Sequence, residues 1–529
     1  MELFKNILKY LLILVAIFVL GCSLIAGILF VFPKATIFGF RYTANKEENV
    51  EIISDATLTK VNINTSNYDI RLIPNSQQNL ETNKNLRIVI KNSYMGFTNN
   101  KVVETQLKSG DGEEKTIAVS EIDKTANKEV YYKDGILNLN LVEPKGVISF
   151  NNSQIIVYLP ENAENVEYNL STEKGKITFE KSEINEEKLI STSNINISVK
   201  NIRGSFSLDN AKMSNGSILK IQNYLGRVNI NSDYISNVEI SSNSGNFNFK
   251  NIGYDGLDGD LVVSGNNPYV RANSITGNVK FETTTGFIEA EEIKKDAVIT
   301  TKNGIVRISK IFGGLELRND SGETTIGQIG DGITKKSVKI YGKSGLISLG
   351  GDDSKIVYNL NSLTTETGKV IIKNLAETNV EEISSTKGSI NIEFVNNDKQ
   401  KSSKVKSNSG NIEIKNINGQ VDCETSKGTI NATFIKYFGE SNFKTNSSNI
   451  QLQLTSPTDD ASKQVELNAK NKENKLSVNV GAYSKNKFDG AKDGEGYYNF
   501  VQKFPIDCET ANKINIVTNS GKIVVKENA

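Results

Sequence analysis

One short phrase constrains this chain more than any other feature of it. Beyond residue 165 the pattern T-x-S-G-x-I-x-I recurs: a Ser/Thr/Asn-rich turn, a glycine, then alternating apolar residues. The glycine position is held by Gly175, Gly226, Gly245, Gly286, Gly304, Gly322, Gly345, Gly368, Gly388, Gly410, Gly428 and Gly521, with Ser193 and Ser448 standing in for it. From Gly286 to Ser448 consecutive members fall about 18 to 23 residues apart, the period at which one supersecondary unit stacks on the next. After the glycine, apolar residues sit two apart, as in Ile177 and Phe179, Val306 and Ile308, or Ile412 and Ile414. Period two means strand, with apolar side chains on one face and polar ones on the other. A second phrase, x-I-x-G-x-V, at Ile202-Arg203-Gly204, Ile275-Thr276-Gly277 and Ile417-Asn418-Gly419, marks the next corner with its inward isoleucine.

Coils of two or three such short strands cannot bury a face alone; stacked in parallel, they build a continuous narrow interior. The expected fold is therefore all-β, a single-stranded parallel β-helix or solenoid of roughly 20-residue coils, with glycine supplying the φ > 0 that tight corners need. At a strand spacing of about 4.8 Å, some fifteen coils would make a rod roughly 70 Å long. No segment after the first 32 residues shows 3.6-residue periodicity, and an antiparallel sandwich series would want hairpin turns.

Ahead of the solenoid, Tyr10 to Phe32 form an apolar run without a charge, long enough to cross a ~30 Å hydrocarbon layer as one helix. A cleaved signal peptide would show a shorter run and a small-x-small site. Val19-Leu20-Gly21-Cys22 loosely resembles a lipoprotein cleavage box, but cleavage there would leave ten apolar residues where such proteins carry a polar tether. The expected order is a cytoplasmic tail (1–9), a transmembrane helix (10–32), a juxtamembrane linker (33–52) and an N-terminal β region (53–165) with a polar insertion at about 75–133. The regular solenoid (166–455) and irregular C-terminal coils with a cap (456–529) follow. Lys5 and Lys9 before the helix, against Lys34 and Arg41 after it, favour an inside N-terminus weakly; retention of so short a tail does more to place the solenoid outside a single-pass cell-membrane anchor.

Lys plus Arg total 62 against 61 Asp plus Glu, so no net field steers the molecule toward nucleic acid. Histidine and tryptophan are absent, which removes Ser-His pairs, H-E-x-x-H zinc sites and the best cation–π platform. Of three cysteines, Cys22 lies in the apolar run. Cys423 and Cys508 share the contexts Asp-Cys-Glu-Thr, which suggests equivalent places on successive coils, too far apart to bridge, and hence two free thiols.

Parallel β-helices also serve polysaccharide lyases and hydrolases, so carboxylates on one outer face are the enzymatic candidates: Asp255, Asp258 and Asp260, and Glu289, Glu291 and Glu292. Strand alternation presents charges outward in any case, the aspartate spacing matches no standard calcium loop, and Gly342-Lys343-Ser344 lacks the earlier glycine of a phosphate loop, since that place holds Ser337. The expectation is no catalytic residue, no cofactor and no metal. Aromatics outside the inward pattern are the better binding candidates: Tyr94, Phe97, Tyr131 and Tyr132 in the insertion, and Tyr483, Phe488, Tyr497, Tyr498 and Phe500 near the C-terminal end. They stack on sugars, fill pockets of a partner, or pack the caps.

The segment I-I-V-Y-L-P-E-N-A-E-N-V-E-Y-N-L-S-T-E-K-G-K-I-T-F, residues 155–179, with the serial S-G-x-I-x-I units after it, resembles the bacterial adhesin-type β-helix family. The likeness covers most of residues 53–529 apart from the insertion and the break near 456–512. It implies a parallel β-helix on bacterial membrane proteins and an adhesive role, and brings no ligand or catalytic residue with it. The functional expectation is a membrane-anchored, non-enzymatic binding module for a surface protein or glycan on a neighbouring cell or in the envelope. The alternatives are a self-associating scaffold rod of the envelope and, third, a carbohydrate-active enzyme.

Overall fold

Val279–Thr283 and Phe287–Ile293 make one coil, Ala297–Thr301 and Ile305–Ile311 the next, and Leu315–Asn319 and Glu323–Ile329 a third. First strands pair in parallel with first strands and second with second, giving two facing sheets. Phe281 stacks on Ile299 and Ile299 on Leu317 in one, Ile288 on Val306 and Val306 on Thr324 in the other. All six side chains point inward and are at most 2% exposed. Burying each apolar one favours the fold by about 1.5–3 kcal/mol before entropy is charged against it.

The computed structural model describes the chain outside residues 1, 32–40, 54, 76–83, 99–101, 109–113, 121–129, 142–145, 152, 182–188, 200–203, 223–224, 255, 332, 335, 352–355, 359, 377–381, 394, 397–401, 511 and 529. Apart from one α-helix and a single short 3-10 turn, the regular elements among the described residues are β-strands. They divide into two compact units, Met1–Ser236 and Asn237–Ala529, and parallel coils of the same kind build both. The helix, Glu2–Val31, contains a stretch of 21 residues, Leu8–Ile28, with a mean hydropathy of 2.9 and none of it buried. At 1.5 Å per residue that stretch is roughly 30 Å long, enough to cross a bilayer. Pro33 and Lys34 lie outside the described residues.

The corner glycines are present for a different reason from the expected one. Of the twelve, Gly245 and Gly345 have positive φ (129° and 102°); the rest do not. What the others lack is room. A Cβ at Gly388, Gly410 or Gly428 would overlap the carbonyl of the glycine one coil earlier, and at Gly521 that of Ser448, so at these four corners the stacked backbones approach too closely for a side chain.

The T of the phrase has its own part. At five corners the hydroxyl three residues before the glycine turns into the core and accepts the glycine N–H: Thr172 from Gly175 (2.9 Å), Thr365 from Gly368 (3.0 Å), Ser407 from Gly410 (2.8 Å), Thr425 from Gly428 (3.0 Å) and Thr518 from Gly521 (3.1 Å). Asn319 does the same for Gly322 at 3.0 Å. A buried polar group is tolerated when it is hydrogen-bonded, as each of these is.

Two repeat assignments need correction. Ser193 stands inside the continuous strand Ile190–Val199, whose Ile195 and Ile197 pair with Tyr168 and Leu170 of the first-strand sheet. The corner glycine of that coil is Gly204, because Ser205–Leu208 pairs with Lys176–Phe179 and with Arg227–Ile230; Ile202 and Arg203 lie outside the described residues. Between Gly245 and Gly286 the corner position is taken by Pro268, paired with Gly245. The second phrase is as read at Ile275 and Ile417, both fully buried.

Both ends interleave. Lys60–Thr65 and Asp69–Pro74, early in the chain, lie between the later coil of Ile136–Leu141 and Gln154–Leu159 and the coil of Val166–Thr172 and Lys176–Phe179. At the other terminus, Lys513–Thr518 and Ile523–Glu527 lie between Glu440–Thr445 and Ile450–Leu454 on one side and Val465–Asn471 and Leu476–Val480 on the other. The stretch after residue 456 thus contains a true coil, with Val465, Leu467 and Ala469 inward at 1% exposure or less.

Antiparallel strands then close the stacks: Leu86–Thr98 on Gln154–Leu159, with Arg41–Ile53 beyond it, and Tyr498–Phe504 on Val465–Asn471. The insertion near 75–133 is therefore in part strand, read as irregular because Leu86, Ile88, Val89 and Ile90 are buried without strict alternation.

The cysteines are free, as expected, but not equivalent. Cys423 is an inward rung between Val405 and Phe443, and the column continues to Ile516, not to Cys508, which follows the strand Tyr498–Phe504 outside the ladder. A repeated tetrapeptide is not a repeated register. Burial pushes the Cys423 thiol far above its ordinary range.

Candidate interaction surface

Four of the six carboxylates singled out in the sequence are engaged locally, and Glu291 is exposed on the outer face. Asp258 pairs with Lys295, Asp260 accepts from the Asn278 backbone N–H (2.6 Å) and side chain (3.1 Å), and Glu289 meets Arg271 Nε at 2.6 Å. Glu292 is 3.9 Å from Lys294. Asp255 lies outside the described residues. Arg271 also sits over the stacked rings of Tyr269 and Phe287, whose centroids are 4.1 Å apart, so this outer ladder is held together by its own cations and carboxylates. Among the described residues no group of three or more His, Cys, Asp or Glu is placed to hold a metal ion.

The C-terminal aromatics pack the cap. Phe500, opposite the inward Ala469, is 7% exposed, and Phe488 is 2% exposed and stacks on Tyr498 at 6.3 Å. Phe500 is thus a buried ring and not an outward one, a correction that follows from the antiparallel strand continuing the inward face. Tyr483 meets Phe504 edge-on at 5.6 Å, Lys472 lies 4.7 Å over Tyr497, and the Tyr497 hydroxyl donates to Asn519 Oδ1 at 2.7 Å. In the insertion the Tyr132 hydroxyl donates to the Thr57 carbonyl at 2.7 Å; the side chains of Tyr94, Phe97 and Tyr131 lie outside the described residues.

A surface that the sequence reading missed lies within Met1–Ser236. In four successive coils the outward positions of the first strand hold Asn138 and Asn140, Asn62 and Asn64, Asn169 and Ser171, and Asn196 and Ser198. The first of each pair forms an amide ladder: Asn62 donates to Asn138 (2.8 Å), Asn169 to Asn62 (2.8 Å) and Asn196 to Asn169 (2.7 Å). Between this column and the second runs a depression of about 430 Å³, floored by the strand at Leu139, Ile63, Leu170 and Ile197 and ending at Gln222.

The Lys60–Glu167 pair at 3.0 Å lies on the same strands. Burial pushes the Glu167 carboxyl up, but hydrogen bonds from Lys60 and Asn169 outweigh it and hold it below its ordinary value. The available signal was N-x-N or N-x-S at the outward positions, which the search for charged and aromatic residues passed over. In Asn237–Ala529 a depression of about 390 Å³ runs beside Glu413, Lys415, Asn431, Thr433, Gln451 and Gln453, and is charged.

The sequence pattern of the Toastrack DUF4097 family matches residues 99–292 and 324–526, more than half of the chain. The chain belongs to the Toastrack DUF4097 family. A Toastrack domain is a β-solenoid-like repeat, in agreement with the stacked coils, and the two matched stretches include most of the glycine corners and the amide-lined face except Asn62 and Asn64. No curated protein and no solved structure matches this Toastrack chain.

Proposed function

We propose that this Toastrack chain is a membrane-anchored, surface-displayed solenoid that binds a neighbouring cell, glycan or envelope component without turning it over. One observation carries the reading: an exposed apolar helix of bilayer length precedes coils whose outward side chains pair with one another in ladders. The helix fits a bilayer with the N-terminus inside, and the ladders offer a repetitive contact face instead of a cleft that gathers an acid and a base. The test is to incubate the purified full chain in detergent with intact cells and envelope polysaccharides. Retention without new reducing ends supports the reading; saccharide cleavage that tracks the protein through purification sinks its non-enzymatic part.

A scaffold role is the second reading. Tyr498–Phe504 is a cap strand paired, among the described strands, with Val465–Asn471, and it carries Val501 at 64% exposure. Such an edge is a template for another chain. Concentration-dependent filaments of the full chain would favour that role.

A further inference from the structure

The geometry points to the amide-lined trench of Met1–Ser236 as the docking site of one ligand class, a linear, uncharged saccharide chain. This rests on the binding-module reading above and names its partner. Two rows of side chains two residues apart on a strand stand about 7 Å from each other, and successive coils repeat every ~4.8 Å. The trench therefore takes a chain lying across the strands, one unit per coil. An extended pyranose chain has close to that repeat.

The lining selects by charge and by hydrogen bonding. Asn138, Asn62, Asn169 and Asn196 face Asn140, Asn64, Ser171 and Ser198 across the floor, all neutral. A side-chain amide has two donors and can accept twice. Asn62, which donates to Asn138 and accepts from Asn169, retains capacity for one further bond of each kind. Sugar hydroxyls both donate and accept, and so match such a surface; a polyanion finds no cation among these eight residues.

The short side chains also leave the floor open. In Asn237–Ala529 the corresponding outward pairs are mixed: Lys280 with Glu282, Glu316 with Arg318 and Lys339 with Tyr341 are long, while Val262 with Ser264 and Val298 with Thr300 are short and stand between or beside them, so four small neutral pairs do not run in succession there. Stacked asparagines also hold coils together, as amide ladders do in other stacked sheets. That accounts for the first column and for Asn64, which donates to Asn140 at 3.2 Å. It does not account for Ser171 and Ser198, which keep the facing column small and neutral in the other two coils.

The test uses the full chain in detergent with three probes: β-1,4-linked glucose and N-acetylglucosamine hexasaccharides, both neutral, and an oligogalacturonate. Saturable binding of a neutral hexasaccharide, at least tenfold tighter than of the oligogalacturonate, is the expected result. The double variant Ser171→Arg/Ser198→Arg, which lays two long cations across the floor at positions where other coils carry Lys or Arg, should lose that binding at least tenfold. Thr300→Arg, an outward substitution in the other unit, should leave it unchanged. If the double variant melts early, Asn64→Arg at the same wall replaces it.

Neutral-saccharide binding that survives both trench variants overturns this site and leaves the binding-module reading standing. So does retention on cells with no affinity for any neutral probe. Loss of self-association, and not of saccharide binding, in the variants would reassign the trench to a second copy of the chain. Failure to bind any cell or glycan would overturn the underlying reading itself.

Discussion

The backbone N–H of Gly428 donates to Oγ1 of Thr425 at 3.0 Å, and that hydroxyl lies 3.5 Å from the carbonyl of Gly410, one coil earlier. One buried threonine therefore closes its own corner and ties it to the coil before. Thr425→Val keeps the shape and leaves the Gly428 N–H and the Gly410 carbonyl without that partner. The expected loss is about 1–3 kcal/mol, read from urea unfolding, with Thr425→Ser close to the parent because Ser407 holds the same place for Gly410.

Gly410→Ala tests the steric account of the glycine column. At an ordinary exposed position Gly→Ala stabilises by about 0.4–1 kcal/mol through the unfolded state. At Gly410 the added Cβ overlaps the Gly388 carbonyl, and overpacking of this kind costs about 1–3 kcal/mol. Gly494, with nothing within 4 Å of a Cβ, is the control, and Gly494→Ala should be neutral or mildly stabilising in the same unfolding curves.

The interleaved C-terminal coil predicts an unusual response to truncation. A solenoid built strictly in chain order frays when its last residues are removed. Here residues 513–527 lie under the coil of residues 465–480, and Ile514, Ile516, Ile523 and Val525 are at most 1% exposed. A chain ending at Asn512 should lose protection over 440–454 and 465–480 together, seen as rapid hydrogen exchange in both segments. Unchanged exchange over 440–454 would contradict the interleaved order.

Arg71 clasps Glu180 through Nε and Nη2 at 2.7 and 2.6 Å, and those hydrogen bonds hold the Glu180 carboxyl below its ordinary value of 4.5. A depressed folded pKa contributes stability that is fully present above the unfolded value and is lost as pH falls through the folded one. Glu180→Gln should therefore be less stable than the parent near neutrality, by no more than about 1 kcal/mol for a pair this exposed. The gap should close as pH drops below 4.5. Thermal melts at pH 7 and pH 3 check the sign.

The repeat was legible because period-two alternation after each glycine reports burial directly: Ile177, Val306, Ile390 and Ile412 are inward and fully buried. Phase was harder. Ser193 and Gly204 were exchanged because Asn194 to Ile197 alternates as well as Ser205 to Leu208 does, and only strand pairing says which sheet each joins. Stacking order at the ends was illegible, since nothing local in Lys60–Pro74 records that its neighbours include Ile136–Leu159. The amide-lined trench was overlooked for a chemical reason: asparagine and serine do no acid–base or metal chemistry, and their meaning appears only when four coils bring them into line.

The most direct test of the whole account is protease shaving of intact cells, following the solenoid with an antibody to residues 513–529. A membrane-anchored surface solenoid predicts loss of the signal without lysis, with the helix of residues 2–31 left in the membrane fraction. Protection of the solenoid until the cells are broken would contradict surface display, and with it adhesion to a neighbouring cell.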